Sequence, residues 1–255
     1  MLWLLKGVLM PRIELFQGDC LELLARMEPE CIDLLVTDPP YKTISGGDSG
    51  NRPKGMLSGN RKLFKHQNDI EISDWMPLVY KVLKNETHAY IFTNSMNLKD
   101  MIVEAEKAGF KMHNLLVWEK NNCTPSQFYM KNCEYVLFLR KGRAQWIRHI
   151  GESKTVHRFN NIIGKKTHPC EKPVDLLKFY IENSSLDGHT VLDPFMGTGS
   201  TGVACKETNR NFLGIELDEN YFNIAKERLK MTHEEYKKFL EEKAKKQEGA
   251  ESTQT

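Results

Sequence analysis

With 255 residues, 36 Lys and Arg against 34 Asp and Glu, and a formal net charge of +2, the chain has the size of one large α/β domain, or of one domain with a smaller lobe. That balance neither demands nor excludes nucleic acid, so the local placement of charge has to decide. Composition does exclude a helix crossing a bilayer, because no apolar run approaches about 20 residues, and a zinc finger, because Cys20, Cys31, Cys123, Cys133, Cys170 and Cys205 form no CxxC pair and no Cys/His cluster.

The opening "MLWLLKGVLMPRIEL" is apolar, but it lacks a basic leader and a small-residue cleavage site, so it does not read as a signal peptide. The scattered thiols suit a reducing cytosol. "RIELFQGD" reads as a strand ending in a Gly-Asp turn, "CLELLARM" as a helix and "CIDLLVTD" as the next strand. Strands apolar on both faces and separated by helices predict a parallel sheet covered on both sides. From Tyr41 to Ile72 the rhythm stops, in a loop rich in Gly, Ser, Asn and base that is longer than ordinary connections. "SDWMPLVYKVL" resumes as a helix capped by Ser73 or Asp74. Then come a strand "THAYIFTN", a helix "NLKDMIVEAEKAG" closed by Gly109, and the strands "FKMHNLLVWEKN" and "CEYVLFLRKG". Residues 143–167 are irregular and basic. A helix follows in "KPVDLLKFYIENSS", with Pro173 near its first turn. "HTVLD", "GVACKETN", "RNFLGIELD" and "ENYFNIAKERLKM" read as strand, helix, strand and helix. Residues 231–255 read as a charged helix or a disordered tail.

Two stretches carry chemistry. In "VLDPFMGTGS", Gly197 and Gly199 follow a strand directly, and Gly202 completes a GxGxxG spacing. Glycines there permit a tight turn and close backbone approach to a ligand, ahead of the free N–H groups of a helix start. Asp193, just before the turn, would repel a phosphate and suits an amine or a cation. Glu216 ends the next strand, where an acid can hold the two hydroxyls of a ribose. Acid, glycine turn and acid together suggest an adenosine-containing ligand without a pyrophosphate. Either acid alone would be explained by an ordinary βα turn. The second stretch is "LLVTDPPYKT", a buried strand that ends on Asp38 and is stiffened by Pro39 and Pro40 before Tyr41.

"DPPY" at 38–41 and "DPFMGTGS" at 193–200, together with "GD" at 18–19, "HPCEKP" at 168–173 and "GIELD" at 214–218, resemble the S-adenosylmethionine-dependent DNA amino-methyltransferases. The resemblance covers roughly residues 12–230. The catalytic motif precedes the glycine turn, which is similar to the circularly permuted β group of that family. The methyltransferases of protein glutamine and of ribosomal RNA bases more often carry Asn-Pro-Pro-Tyr, with the donor site first. The resemblance implies a Rossmann-like α/β fold: a mostly parallel seven-stranded sheet with one antiparallel strand and helices on both faces. It implies one methyltransferase domain over 1–230, with a basic loop at 42–71 and a small target-recognition region at about 140–167.

For the cofactor, S-adenosylmethionine, the resemblance implies that the turn from Phe195 through Gly197 and Gly199 to Ser200 wraps the methionine part. Asp193 would lie near the ammonium, Glu216 at the ribose and Asp19 by the adenine ring. His168 and Lys172 would close one side, and Asp38 would border both donor and base. Asp38 and the carbonyl of Pro39 would accept the two hydrogens of a base amine. The prolines, Pro40 included, would hold these acceptors still, and Tyr41 would stack on the extrahelical base. No metal is expected. Aspartate as the first motif residue favours adenine-N6, because the cytosine-N4 enzymes more often begin with serine. The cytosine-N4 reaction and a catalytically silent DNA-binding protein are the alternatives.

Chemistry on a base inside a duplex requires the nucleotide to leave the stack, with contacts to phosphate and neighbouring bases. Arg52, Lys54, Arg61, Lys62 and Lys65 lie in a stretch, 49–68, that contains no acid. A second basic stretch includes Arg143, Arg148 and Arg158. Arg143, Trp146 and Arg148 are its candidates for base contact, all expected to flank the catalytic face. Double-stranded DNA is the expected partner, with a homodimer and a cognate restriction endonuclease as further partners that the resemblance allows. The expected location is the cytoplasm of a bacterium, in a protein encoded by it or by its virus, with no membrane contact.

Overall fold

The computed structural model describes residues 11–40, 70–124, 128–143, 145–162, 171–231 and 235, with the backbone alone at 4–5, 8–9 and 124. The expectations for the loop at 42–69 and for nearly all of the tail at 231–255 lie outside the described residues. A short antiparallel pair, β1 (Leu4–Leu5) and β2 (Val8–Leu9), precedes the main body. The chain then runs β3 (Ile13–Gln17), α1 (Cys20–Arg26), β4 (Ile32–Thr37), α2 (Ile72–Val82), β5 (Leu83–Thr93), α3 (Leu98–Ala108), β6 (Lys111–Thr124) and β7 (Lys131–Lys141). After these come β8 (Val156–Arg158), α4 (Val174–Ser184), β9 (Thr190–Asp193), α5 (Ser200–Glu207), β10 (Asn211–Glu216) and α6 (Glu219–Lys230).

Eight described strands form one sheet in the order β3-β10-β9-β4-β5-β7-β6-β8. Only β7 runs against its neighbours, β5 and β6. The expected seven strands with one antiparallel member are therefore present, and the three residues of β8 add an edge strand beside β6. The chain goes from β4 to β5 in one direction along the sheet and from β9 to β10 in the other. Adjacent strands β4 and β9 thus flank the switch point of the topology, where open α/β sheets bind ligands at the carboxyl ends of their strands.

The alternation of side chains along each strand explains the two cores. Leu34, Val36, Tyr90, Phe92, Val136 and Phe138 face α4, α5 and α6. Leu35, Ala89, Ile91, Leu137 and Leu139 face α1, α2 and α3. Every strand of the sheet's middle is apolar on both faces because each face is covered.

Two local expectations change. Neither Ser73 nor Asp74 caps α2: the helix starts one residue earlier, at Ile72, with Glu71 at the cap position and no side-chain bond to it. Strand β5 begins at Leu83 rather than near Thr87, because the chain enters the sheet directly from the helix, and the Cys31 N–H donates to Val82 O at 2.9 Å there. Gly109 closes α3 as expected, at φ 107°, a left-handed conformation that glycine adopts without the Cβ penalty.

Candidate active site at the carboxyl edge of the sheet

Four adjacent parallel strands reach the same edge, and each is followed by or ends on an acid. Asp19 stands two residues past β3, Glu216 ends β10, Asp193 ends β9, and Asp38 follows β4. Three steps of about 4.8 Å between strands spread this row over roughly 14 Å. The backbone holds it in register: the Gly18 N–H donates to Glu216 O at 3.0 Å and the Met196 N–H to Ile215 O at 3.0 Å.

Between Asp193 and Asp38 lies a cavity of about 70 Å³. Asp38, Lys172, Asp193, Phe195, Gly197 and Ser200 all line it, so the structure brings together six sequence-predicted residues drawn from three separate motifs. Asp193 is buried under the turn. Its Oδ1 accepts from Thr37 Oγ1 at 2.7 Å and from the Phe195 N–H at 3.2 Å, and its Oδ2 accepts from Thr201 Oγ1 at 2.6 Å. Burial pushes its carboxyl up to about 6, against the pull of these three bonds. Glu216 stands beyond the turn: Oε2 accepts from the Gly197 N–H at 2.9 Å and Oε1 from the Asp218 N–H at 2.9 Å. Burial raises its carboxyl above the ordinary value, while the two backbone donors pull the other way.

The glycines explain why the turn can be this tight. Gly199, at φ 80°, occupies the cap position of α5. A Cβ on Gly202 would come within 2.8 Å of the Phe212 ring, so this helix can rest on β10 only with glycine there. Phe195 packs edge-on against Trp75, 5.4 Å between ring centroids, which fixes one wall of the cavity.

Pro39 is buried and Pro40 half-buried at the exit from β4. Lys172, only 6% exposed, places its ammonium on Asp38 Oδ2, 3.3 Å from Glu134 Oε2 and 5.1 Å from the centre of the Phe92 ring. Glu134 in turn holds Lys120 through Oε1. Burial alone would raise the Glu134 carboxyl, but Lys172 and Lys120 outweigh it and hold it below its ordinary value. Cations and carboxylates therefore alternate from β6 through β7 to the end of β4. On the other side of the cavity, the guanidinium of Arg228, 1% exposed, pairs with Glu171 Oε1 at 2.7 Å and donates to Ser200 Oγ at 3.0 Å. It clamps the 171–173 segment against the glycine turn.

Thr37, Glu134, Lys120, Arg228 and Glu171 did not figure among the sequence candidates. One had a legible signal. Arg228 falls with Ala225 and Leu229 on the apolar face of α6 by helical spacing, and a cation on such a face needs a buried partner. The Trp118 Nε1–H donates to Phe159 O at 2.9 Å within the core, and Asn94 Oδ1 accepts from the Met96 and Asn97 N–H groups.

Asp19 is exposed at the β3 end of the row and caps α1, accepting from the Leu21 N–H at 2.8 Å. Tyr41, Arg52, Lys54, Arg61, Lys62, Lys65 and His168 lie outside the described residues. The expectation that the basic stretch after β7 flanks the catalytic face is corrected in its first half. Because β7 is antiparallel, the chain leaves it at the amino ends of β4, β5 and β9. Arg143, Trp146 and Arg148 therefore sit at the opposite end of the sheet from Asp38, where the Arg148 N–H donates to Asn183 O at the end of α4. Trp146 and Arg148 line a larger cavity there, about 300 Å³, whose polar groups satisfy one another: Asp33 with Lys84, Glu86 with Gln145, and His88 with Ser184. Lys141, the last residue of β7, is buried and donates to Tyr80 O and Leu83 O. Arg158, by contrast, ends β8, which is parallel to β6 and climbs back to the carboxyl edge. There it pairs with Glu119 at 2.7 Å.

The residues present fit an adenosine-type sulfonium ligand. A row of carboxylates suits its hydroxyls and positive groups, and space stands open beside Gly197, where an added Cβ would meet nothing within 4 Å. The family model described as "DNA methylase" matches residues 32–227. The type II methyltransferase M2.DpnII of Streptococcus pneumoniae is 30% identical over 243 residues, which is 86% of this chain and 90% of that relative. The crystal structure of M1.HpyAVI in its SAM complex superposes with a TM-score of 0.65 at 25% identity, covering 85% of this chain and all of that one. The PvuII cytosine-N4-specific DNA methyltransferase shares the fold alone, with a TM-score of 0.68 at 17% identity over 91% of this chain and 92% of that one. With the motif order, the row of acids and a family match over most of its length, the chain belongs to the N6/N4 family of S-adenosylmethionine-dependent DNA methyltransferases.

Proposed function

We propose that this enzyme methylates the exocyclic N6 amine of an adenine turned out of a specific sequence in double-stranded DNA. The observation that carries the reading is the convergence of Asp38 and the Asp193–Gly199 turn on one cavity at the switch point of the sheet. Across the row of acids, Asp19 would lie by the adenine ring of the donor, Glu216 at its ribose and Asp193 near its ammonium. Phe195, Gly197, Gly199 and Ser200 would enclose the methionine part. Lys172 and His168 would close the side toward Asp38.

S-adenosylmethionine supplies an electrophilic methyl group on a sulfonium. The protein's task is to present a weak nucleophile in line with it, because the lone pair of a base amine is delocalised into the ring. Asp38 and the Pro39 carbonyl accept the amine's two hydrogens, favour its tetrahedral form and aim the lone pair. Lys172 fixes the orientation of the Asp38 carboxylate. Asp38 need not be a strong base, since the amine becomes acidic only as the new bond forms. Tyr41 stacks on the extruded base.

Residues 1–230 act as one domain, and this is supported by a single sheet drawing strands from Ile13 to Glu216. The loop at 42–71, with Arg52, Lys54, Arg61, Lys62 and Lys65, and the climbing segment around Arg158 grip the duplex. A second copy of the chain and a cognate endonuclease are further partners in this reading. The reading implies work on DNA in the cytoplasm; among the described residues no helix is long and apolar enough to cross a membrane. Single-molecule sequencing of unmethylated DNA treated with the pure protein and S-adenosylmethionine tests the reading. N6-methyladenine in one sequence context is the expected result, and N4-methylcytosine instead would reassign the base.

A further inference from the structure

Strands β6 and β7 form a hairpin that projects past the catalytic edge, since β6 runs parallel to β4 and β5 and turns back only after Thr124. At its end, Tyr129 is 96% exposed, Phe128 88% and Met130 59%. Exposed aromatics in a row are unusual on a protein surface and mark a contact site. Their surroundings are polar and carry no negative charge of their own: between Lys120 and Cys133 the sequence has no acid. Lys131 is exposed beside them. Asn121 and Asn122 bind the segment after β8 through the Asn161 N–H and Nδ2 at 2.9 and 3.0 Å, which brings Arg158 alongside the hairpin's base.

We propose that the aromatic tip at Phe128–Met130, with Tyr129 leading, inserts into the DNA duplex beside the target nucleotide and holds open the place it leaves. The inference rests on the DNA methyltransferase reading given above. Reach supports it. Glu134, which meets Lys172 at the catalytic edge, lies five residues from Tyr129, a span of at most about 16 Å along a strand; the major groove is about 12 Å wide. Chemistry supports it too, since apolar and aromatic side chains wedge between base steps and stack on bases of any sequence. A second copy of the chain is a poorer occupant. Two aromatics and a methionine cover roughly 500 Å², against about 800 Å² per partner in a stable dimer, and an amide-rich rim with the exposed Lys131 suits phosphates and base edges better than another such rim.

The test compares methyl transfer from labelled S-adenosylmethionine to two synthetic duplexes carrying the site found by sequencing. One is fully paired, and the other has an abasic position opposite the target. For Tyr129→Ala, kcat/KM on the paired duplex should fall about tenfold or more. It should recover to within about twofold of wild type on the abasic duplex, where less pairing opposes extrusion. Tyr129→Phe should behave as wild type on both. Unchanged transfer to the paired duplex, or equal loss on both, would overturn the wedge. So would conversion of a wild-type dimer to a monomer by Tyr129→Ala in sedimentation, which would give the tip to a second copy. A wild-type protein that transfers to neither duplex would bring down the enzyme reading and the wedge together, whereas activity of the wild type on both isolates the wedge.

Discussion

The hydroxyl of Thr37 donates to Asp193 Oδ1 at 2.7 Å, across 156 positions of sequence. It joins the last residue of β4 to the last residue of β9, so the strand that leads into Asp38-Pro39-Pro40 is fastened to the strand that leads into the glycine turn. Thr37→Val keeps the shape and removes the donor. The loss of this buried bond should cost about 1–3 kcal/mol, seen in calorimetry as roughly 2–4 °C for each kcal/mol. An unchanged unfolding temperature would show that the bond contributes nothing net.

Asp193 should make stability, and in the proposed reading donor binding, depend on pH. Burial lifts its carboxyl to about 6 from a reference of 3.8, so the folded state favours the protonated form. Its contribution to stability is full below about 3.8 and is lost as pH rises through about 6. That gap corresponds to about 3 kcal/mol. Asp193→Asn should flatten this part of the stability profile in denaturant titrations at pH 4 to 7. A donor ammonium beside Asp193 favours the charged form, so donor affinity should rise with pH up to about 6 in the wild type and lose that slope in the variant. Parallel binding profiles for the two proteins would remove the ammonium from Asp193.

Asp38→Ala should still bind S-adenosylmethionine, because the glycine turn and Glu216 do not depend on it, yet lose at least about 100-fold in transfer. Calorimetric titration of the donor and labelled-methyl transfer separate the two properties. Near-normal transfer would refute the acceptor role.

Lys172 sits between two carboxylates, and this predicts strong coupling. Lys172→Met removes the cation from beside a buried Glu134 and should destabilise the fold by about 3–5 kcal/mol. It should also let burial raise the Glu134 carboxyl with only Lys120 opposing. Glu134→Gln added to Lys172→Met should give back about 1–3 kcal/mol relative to the sum of the single changes. Additive losses in a denaturation cycle would mean that the two groups do not act together.

The sequence already contained the strands, the helices and both motifs, because each is a local property. Apolar runs of strand length mark "CIDLLVTD" and "TVLD", and Gly197, Gly199 and Gly202 mark a turn that other residues cannot make. The β-strand at Val156–Arg158 escaped because three residues show no period, and the cap of α2 because Ser73 and Asp74 look like caps wherever they stand. Thr37 and Glu134 were invisible for another reason. A threonine ending a strand and an acid within one are ordinary until a partner more than thirty residues away faces them.

By itself, the sequence determined the motifs and their order: Asp-Pro-Pro-Tyr after an apolar strand, the glycine turn with its flanking acids downstream, and the permuted arrangement that marks the family. Only the tertiary structure decided which end of the sheet each segment reaches. Arg143, Trp146 and Arg148 are as basic and aromatic as a DNA-contacting segment should be, yet they emerge opposite Asp38, because β7 runs antiparallel and delivers the chain to the amino ends of its neighbours. The same reversal sends the hairpin bearing Phe128 and Tyr129 past the catalytic edge. Strand direction follows from pairing between distant segments, and no stretch of sequence carries that pairing alone.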